Sequence, residues 1–318
     1  MKYLLLFFTT ILLSVAAPIV KPLHSIDVEG NVIDISINTA NLYVATDAGT
    51  VEIYNWKTRK LLNKISFDPI HDFMGDLMKP KVFGVDANAD ASKLLIQVQA
   101  EEGARVLYLY DHDKLMKLID EKSHIPMREV RFVDNDHLLI ATMDNELMLF
   151  EISTQKVLYH NKLSLSVFSD FQLNEDHSRV ASSCESGIVY VTDVKSGKVL
   201  KTLEGGNKDN VFKVDFKNNR ILACGQDRKA VLYDLKNDRM IIYPTTFLVY
   251  AGALNPDASL SAFGYNEDND IGIYDNGSKA LKLVLKGAHS TLNNIIFIDN
   301  KTLISSSDDN HILIWRIP

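Results

Sequence analysis

Short apolar stretches that end in a bulky residue recur along the chain at a nearly constant spacing. The residues that end them are Tyr54, Tyr110, Phe150, Thr192, Tyr233, Tyr274 and Trp315. The steps between them are 56, 40, 42, 41, 41 and 41 residues. Every repeat but the last contains four apolar stretches separated by polar turns, as at 211–216, 220–225, 230–233 and 239–243. Four antiparallel strands in about 40–45 residues are typical of a propeller blade, so the pattern predicts an all-β, seven-bladed β-propeller.

The last repeat stops soon after its third strand, at Pro318, which leaves one blade a strand short. Residues 22–29 precede the first repeat and alternate apolar with polar side chains. We expect this N-terminal strand to pair with the strand that ends at Trp315. Both ends of the chain would then complete one blade, close the ring and remove an exposed sheet edge.

The last repeat resembles a WD40 repeat. It contains Ser305-Ser306-Ser307-Asp308-Asp309-Asn310-His311-Ile312-Leu313-Ile314-Trp315, preceded by Gly287-Ala288-His289. The resemblance extends over residues 22–318 and implies a WD40-like ring of the kind that binds other proteins. It also implies a structural hydrogen-bonded tetrad, formed by His289, Ser305, Asp309 and Trp315. The tetrad Asp recurs at Asp144, Asp227 and Asp268, but the other repeats lack the His and the Trp.

The first residues of the chain have the pattern of a secretory signal peptide. A basic start is followed by an apolar run over 4–13 and by small residues that include Ser14 and Ala16. The run is about half the length that spans a bilayer, which argues against an uncleaved anchor. We therefore predict a signal peptide at 1–16, a propeller domain at 17–318, an exported, periplasmic location and no membrane span after cleavage.

The composition narrows the function classes. The formal net charge is −7 and the isoelectric point is near 5.7, which argues against binding to nucleic acid. A signal peptide joined to a degenerate seven-bladed ring of this length is similar to the periplasmic nitrate reductase accessory propellers of the Nap L type. That resemblance implies a role in assisting a redox enzyme complex. We expect a monomer.

No catalytic constellation is present among the motifs. The nine histidines are dispersed, and there is no zinc motif, nucleophile elbow or phosphate loop, so no catalytic residue, cofactor or metal is predicted. Asp86–Asp90 has calcium-loop spacing, but Ala91 and Gln97 stand where a Gly and a Glu are needed, which favours a turn. Glu267–Asp270 is also interpreted as a turn. The alternative hypothesis is a metal-dependent, lactonase-like hydrolase with ligands from several blades in the central channel.

The two cysteines lie in second strands of consecutive repeats. Cys224 is equivalent to Ser183, one residue from Cys184, when the repeats are aligned on their third strands. Because successive strand residues face opposite sides of a sheet, the thiols either face each other or both point away. An oxidising compartment makes a Cys184–Cys224 disulfide possible.

Acidic residues recur in the turns between second and third strands. In WD40-type blades these turns share one face of the ring with the crossovers between blades. They contain Asp47, Glu101, Glu102, Asp144, Glu185, Asp227, Asp268 and Asp309. The turns are either simply solvated or form an acidic face that steers a basic partner. We treat Asp144, Glu185, Asp227 and Asp268 as candidate partner-binding residues.

The long first step of 56 residues marks an insertion at 68–80, in the crossover between the first two blades. Phe73, Met74, Leu77 and Met78 make it unusually apolar for a loop, and their spacing suggests one or two helical turns. The insertion either packs as a lid on the ring or forms an exposed docking patch. Together these features favour a non-catalytic scaffold that binds an exported protein.

Overall fold

The computed structural model describes residues 17–38 and 40–318, so the predicted signal peptide at 1–16 lies outside the described residues. Seven blades of four antiparallel strands follow one another along this part of the chain, as predicted. In blade 1 the strands are Val32–Ile37, Asn41–Thr46, Thr50–Asn55 and Lys60–Ser66. In blade 2 they are Val82–Ala87, Lys93–Gln99, Arg105–Asp111 and Lys114–Ile119. In blade 3 they are Met127–Phe132, His137–Thr142, Glu146–Glu151 and Lys156–Lys162.

The remaining blades repeat this order, with the first strand innermost. In blade 4 the strands are Phe168–Leu173, Arg179–Cys184, Val189–Asp193 and Val199–Leu203. In blade 5 they are Val211–Lys217, Arg220–Gly225, Lys229–Asp234 and Arg239–Pro244. In blade 6 they are Gly252–Leu254, Leu260–Gly264, Ile271–Asp275 and Leu281–Leu285. In blade 7 they are Leu292–Phe297, Thr302–Ser307, His311–Arg316 and, from the N-terminal end, His24–Asp27.

The ring closes as predicted from the sequence. His24–Asp27 pairs antiparallel with the third strand of blade 7, with Ile26 opposite Ile312. A second N-terminal strand, Ile19–Val20, was not predicted. It runs parallel to the outer strand of blade 6 and makes that sheet five-stranded. Two residues are too few to give a readable alternation, which is why the sequence pattern does not reveal this strand.

The apolar core is divided among the junctions between blades. Seven clusters of buried apolar side chains occur in the described residues, one for each pair of neighbouring blades. This division follows from strand geometry, because alternate residues of one strand point to the blade before and the blade after. Ile26 belongs to the cluster between blades 7 and 1, so the closing strand is packed as well as hydrogen-bonded.

Helix is limited to two single turns in the described residues, at Glu101–Gly103 and Glu121–Ser123. Neither these nor any other described segment forms a helix long and apolar enough to cross a bilayer. The prediction of helical turns in the insertion is wrong. Ile70–His71 and Leu77–Met78 pair as a short β-hairpin instead.

The physical reason for the hairpin lies in its turn. The Oδ1 atom of Asp72 accepts hydrogen bonds from the backbone amides of Met74 and Asp76, at 2.8 and 2.9 Å. Gly75 has a φ of +88°, which favours glycine, and its amide donates to the Asp72 carbonyl. A carboxylate that binds two amides within its own loop favours a turn over a helix.

Candidate interaction site

The turns between second and third strands lie on the same face of the ring as the crossovers between blades. We call this side the crossover face. The shared position is shown by hydrogen bonds between the two kinds of loop. Asp47, in a turn of blade 1, accepts the amide of Asn31 at 2.7 Å. Asp227, in a turn of blade 5, accepts the amide of Lys208 at 3.0 Å.

The hairpin at 68–80 projects from this face. Phe73 is 94% exposed, Met74 75% and Leu77 69%, while Met78 is half-buried. The hairpin is therefore not a lid packed on the ring.

Ion pairs hold the base of the hairpin to the ring. Lys79 Nζ lies 2.9 Å from Glu29 Oε1, and Glu29 also binds Lys64 of blade 1. Hydrogen bonds from Lys64 and Lys79 lower the pKa of Glu29 to about 2. His71 Nδ1 lies 3.1 Å from Glu101 Oε1. The apolar tip is thus presented to solvent from an anchored base.

A second exposed apolar group lies on the same face and was not predicted. Leu165 is 94% exposed, and Val167 and Met143 are also exposed. The amide of Phe168 donates to the carbonyl of Met143 at 3.2 Å, which joins the blade 3 turn to the next crossover. The only available sequence signal is a run of alternating apolar residues at 163–167, outside the repeat of the strands.

A cleft of about 740 Å³ lies between the hairpin and this second group. Ile70 of the hairpin and Met143 of blade 3 both line it, and the turn at Glu101–Gly103 forms part of its wall. The guanidinium carbon of Arg105 lies 3.8 Å from the centre of the Phe83 ring. Burial lowers the pKa of Arg105 to about 10.

The four candidate acids divide into two groups. Asp144, Glu185 and Asp268 are exposed on the crossover face. Asp227 is not free, because its carboxylate accepts bonds from Asn207 Nδ2 at 2.9 Å and from Lys229 Nζ at 2.8 Å. Together with its bond to the Lys208 amide, these contacts give Asp227 the role of fixing a crossover.

The predicted tetrad is only partly formed. Trp315 Nε1 donates to Ser305 Oγ at 2.8 Å, and both residues are buried. Asp309 is used within its own turn, where it accepts bonds from Ser307 Oγ and the amide of His311. His289 is exposed, and in the described part of the chain no hydrogen bond joins it to the other three residues. The expected four-residue network is therefore wrong beyond the Ser305–Trp315 pair.

The disulfide considered as one of two alternatives for Cys184 and Cys224 does not form, because both cysteines are free and buried. Ser183 Oγ donates to the carbonyl of Val211, so Ser183 faces blade 5 and its neighbour Cys184 faces the other way. Cys224 faces blade 6, where a Cβ on Gly252 would lie 2.4 Å from its sulfur. Burial raises the pKa of the Cys224 thiol. The two thiols thus point away from each other.

The central channel contains charged side chains from several blades, which no sequence motif indicates. Arg131 binds Asp34 at 2.9 Å and Glu129 at 3.0 Å, and Lys213 binds Asp170 at 2.9 Å. Burial, followed by the nearby charge of Asp170, raises the pKa of Glu129 to about 7. The only sequence signal is the occurrence of charged residues within otherwise apolar first strands.

These channel carboxylates link neighbouring blades. Each accepts a hydrogen bond from a backbone amide in the first strand of the next blade. The pairs are Asp34 with Val85, Asp86 with Phe132, Glu129 with Phe171, Asp170 with Val214, and Asp215 with Leu254, at 2.7–3.1 Å. Their role in the structure is therefore to connect blades 1 to 6 around the channel.

The acidic clusters considered as metal sites form turns. Asn88 Oδ1 accepts the amide of Lys93 and Asp90 Oδ1 that of Ser92, both at 2.9 Å. Asp270 binds Lys286 at 2.7 Å. Within residues 17–38 and 40–318, no three His, Cys, Asp or Glu side chains are grouped so that they could hold a metal ion.

The fold and these surfaces define a seven-bladed WD40-like propeller, a class that serves as protein-interaction scaffolds. A family model described as "WD domain, G-beta repeat" matches residues 280–316, which include the three C-terminal strands of blade 7. The chain is 24% identical over 200 residues to Actin-interacting protein 1 of Drosophila melanogaster, covering 60% of this chain and 32% of that protein.

Two further relatives also support a WD-repeat propeller. The Caenorhabditis elegans Actin-interacting protein 1 is 24% identical over 156 residues, or 46% of this chain and 25% of that protein. An uncharacterized WD repeat-containing protein of Synechocystis is 27% identical over 135 residues, which cover 40% of this chain and 37% of that protein. The matches span between about a quarter and two fifths of the length of these curated relatives. They support a WD-repeat scaffold, whereas the partner is a matter for proposal.

Proposed function

We propose that this chain is a non-catalytic scaffold that binds another exported protein through its crossover face. The observation that carries the proposal is the exposure of Phe73, Met74 and Leu77 on an anchored hairpin. Single exposed apolar residues are common on protein surfaces, but three on one projecting element are typical of an interface.

Burial of the hairpin tip supplies the free energy of binding. Full burial of one large apolar side chain stabilises a complex by roughly 1.5–3 kcal/mol. Methionine side chains also adapt their shape to the partner surface. The ion pair of Glu29 with Lys79 and the contact of Glu101 with His71 keep the base in place, so less conformational entropy is lost on binding.

The charge of the face favours a partner with a basic surface. Asp144, Glu185 and Asp268 are exposed there and available for contact. Complementary charge raises the association rate more than it raises the affinity, so these acids steer the partner toward the apolar tip.

The exported location rests on the signal peptide pattern at 1–16. N-terminal sequencing of the mature protein tests it, with Ala17 expected as the first residue. The narrower proposal, that the partner belongs to a periplasmic nitrate reductase system, rests on the sequence resemblance. Calorimetric titration with purified periplasmic nitrate reductase tests this narrower proposal. Lack of heat would reject that partner and leave the scaffold proposal in place.

Affinity capture tests the scaffold proposal. The wild type, the double variant Phe73→Ser/Leu77→Ser and the control Leu62→Ser/Leu158→Ser are immobilised and exposed to exported proteins. Leu62 and Leu158 are also exposed, but they lie on outer strands at the rim of the ring. We expect one set of proteins to be captured by the wild type and the control and lost from the hairpin variant. Equal capture by all three folded proteins would contradict the proposal.

A further inference from the structure

The most exposed large apolar side chains are concentrated on one face of the ring. Among the large apolar side chains of the described residues, the four with the highest exposure are Phe73, Leu165, Met74 and Leu77. Three belong to the hairpin between blades 1 and 2, and Leu165 belongs to the crossover between blades 3 and 4. All four therefore lie on the crossover face, in two separate groups.

The cleft connects these two groups. Ile70 lines it from the hairpin, and Met143 lines it from the blade 3 turn. The Met143 carbonyl accepts the amide of Phe168, so the turn adjoins the segment that contains Leu165 and Val167. The cleft thus leads from the base of the hairpin to the turn that adjoins the second apolar group, across blades 2 and 3.

We propose that this surface binds an extended peptide segment of the partner, with an apolar anchor at each end and basic residues next to the second anchor. The hairpin holds one anchor, and Leu165 with Val167 and Met143 holds the other. The inference deepens the proposed function and rests on it. The inference differs from the proposed function because it requires the second anchor, whereas the proposed function requires only a contact at the hairpin.

We infer that the segment is basic because exposed carboxylates lie on the surface that it would contact. Asp144 is exposed directly after Met143, and Glu185 donates its amide to the Val167 carbonyl at 3.0 Å. Glu102, in the wall of the cleft, is also exposed. Carboxylates therefore adjoin the second anchor and the path that leads to it.

The bases that line the cleft have contacts within the protein. Arg105 stacks on Phe83 and donates to the carbonyl of Arg128 at 3.2 Å. Lys117 binds Glu121 at 3.1 Å, and Lys122 is adjacent to the same carboxylate. The three carboxylates and three cations that line the cleft therefore balance in charge, and the exposed carboxylates without such a match lie at the second anchor, at Asp144 and Glu185.

A peptide selection tests the inference. A phage library of random 16-residue peptides is selected on the wild-type protein, since 16 extended residues span about 50 Å. The enriched peptides are synthesised with a fluorophore, and their affinity is measured by polarisation. The proteins compared are the wild type, Phe73→Ser/Leu77→Ser, Leu165→Ser/Val167→Ser and the rim control Leu62→Ser/Leu158→Ser.

We expect peptides of positive net charge with two separated apolar clusters, bound at least tenfold more weakly by each of the two face variants and equally by the control. Loss of affinity in the hairpin variant alone would overturn the two-anchor inference and leave the proposed function standing. Full affinity in both variants, or no enrichment at all, would count against both proposals. Enrichment of neutral or acidic peptides would overturn the inference that the segment is basic.

The same variants distinguish a second copy of this chain from a partner peptide. Sedimentation of the wild type at high concentration is expected to show a monomer. A dimer that is lost in both face variants would identify another copy as the occupant and overturn the inference.

Discussion

The carboxylate of Asp34 in blade 1 accepts a hydrogen bond from the backbone amide of Val85, which lies in blade 2 and 51 residues further along the chain. Four more carboxylates make the equivalent bond between the following blades, up to Asp215 and Leu254. Charged side chains in the channel therefore join neighbouring blades that are otherwise held by apolar packing.

Removing the charge of Asp170 tests whether these links stabilise the ring. The Asp170 carboxylate binds Lys213 Nζ at 2.9 Å and the amide of Val214 at 2.8 Å. Asp170→Asn leaves the half-buried Lys213 without this ion pair, so we expect a loss of about 1.5–3 kcal/mol in the free energy of unfolding. Urea titration measures it, with Asp268→Asn, at an exposed site, as the control. The added change Lys213→Met is expected to recover much of the loss, and a loss below 1 kcal/mol would contradict the role.

Because the tetrad is only partly formed, we expect substitution of Trp315 to reduce the stability and substitution of His289 to leave it nearly unchanged. Trp315→Phe removes the bond to Ser305 Oγ and leaves a buried hydroxyl without it, so we expect a loss of about 2–4 kcal/mol. His289→Ala is expected to change the stability by less than about 0.5 kcal/mol, because the side chain is exposed. Thermal unfolding of the two variants checks this. A similar loss for both would show that the full tetrad forms.

Ring closure is expected to depend on the packing of its closing strand. Ile26 is buried between blades 7 and 1, so Ile26→Ala should cost about 2–5 kcal/mol. Ile19, in the additional strand on blade 6, is 59% exposed, and Ile19→Ala should cost less than about 0.5 kcal/mol. Urea unfolding compares the two, and equal effects would be inconsistent with closure through His24–Asp27.

The raised pKa of Glu129 predicts a specific pH dependence. Its pKa is 4.5 in the unfolded chain and about 7 in the fold, so the folded state holds the proton more tightly. Stability conferred by the protonated carboxyl is therefore complete below about pH 4.5 and is lost as the pH rises through 7. We expect the wild type to lose about 3 kcal/mol relative to Glu129→Gln between these pH values. Urea titrations of both proteins at several pH values measure the difference, and a constant difference would contradict the shifted pKa.

The repetition along the sequence was sufficient to predict the number of blades, their strands and the closing strand. These features depend on alternation and spacing, which local patterns carry. The hairpin at 68–80 was identified as a special segment, but its conformation depended on the bonds of Asp72 within the turn, which apolar spacing does not reveal. The helical expectation failed for that reason.

The channel and the second apolar group depend on side chains that are distant in sequence. Arg131 of blade 3 binds Asp34 of blade 1, which lies 97 residues away, and the packing of three successive blades around the channel brings them together. The orientation of Cys184 and Cys224 required the register of each strand to within one residue. The exposure of Leu165 could not be predicted either, because it follows from the path of a crossover and not from the residue type.

The central claim is that the hairpin tip contacts another protein, and site-specific photo-crosslinking tests it most directly. The crosslinker p-benzoylphenylalanine is introduced at Phe73 and, as a matched control, at Leu158 on the rim, and cells are irradiated. We expect a discrete adduct with one protein from position 73 and none from position 158. No adduct at position 73, or the same adducts from both positions, would contradict the account.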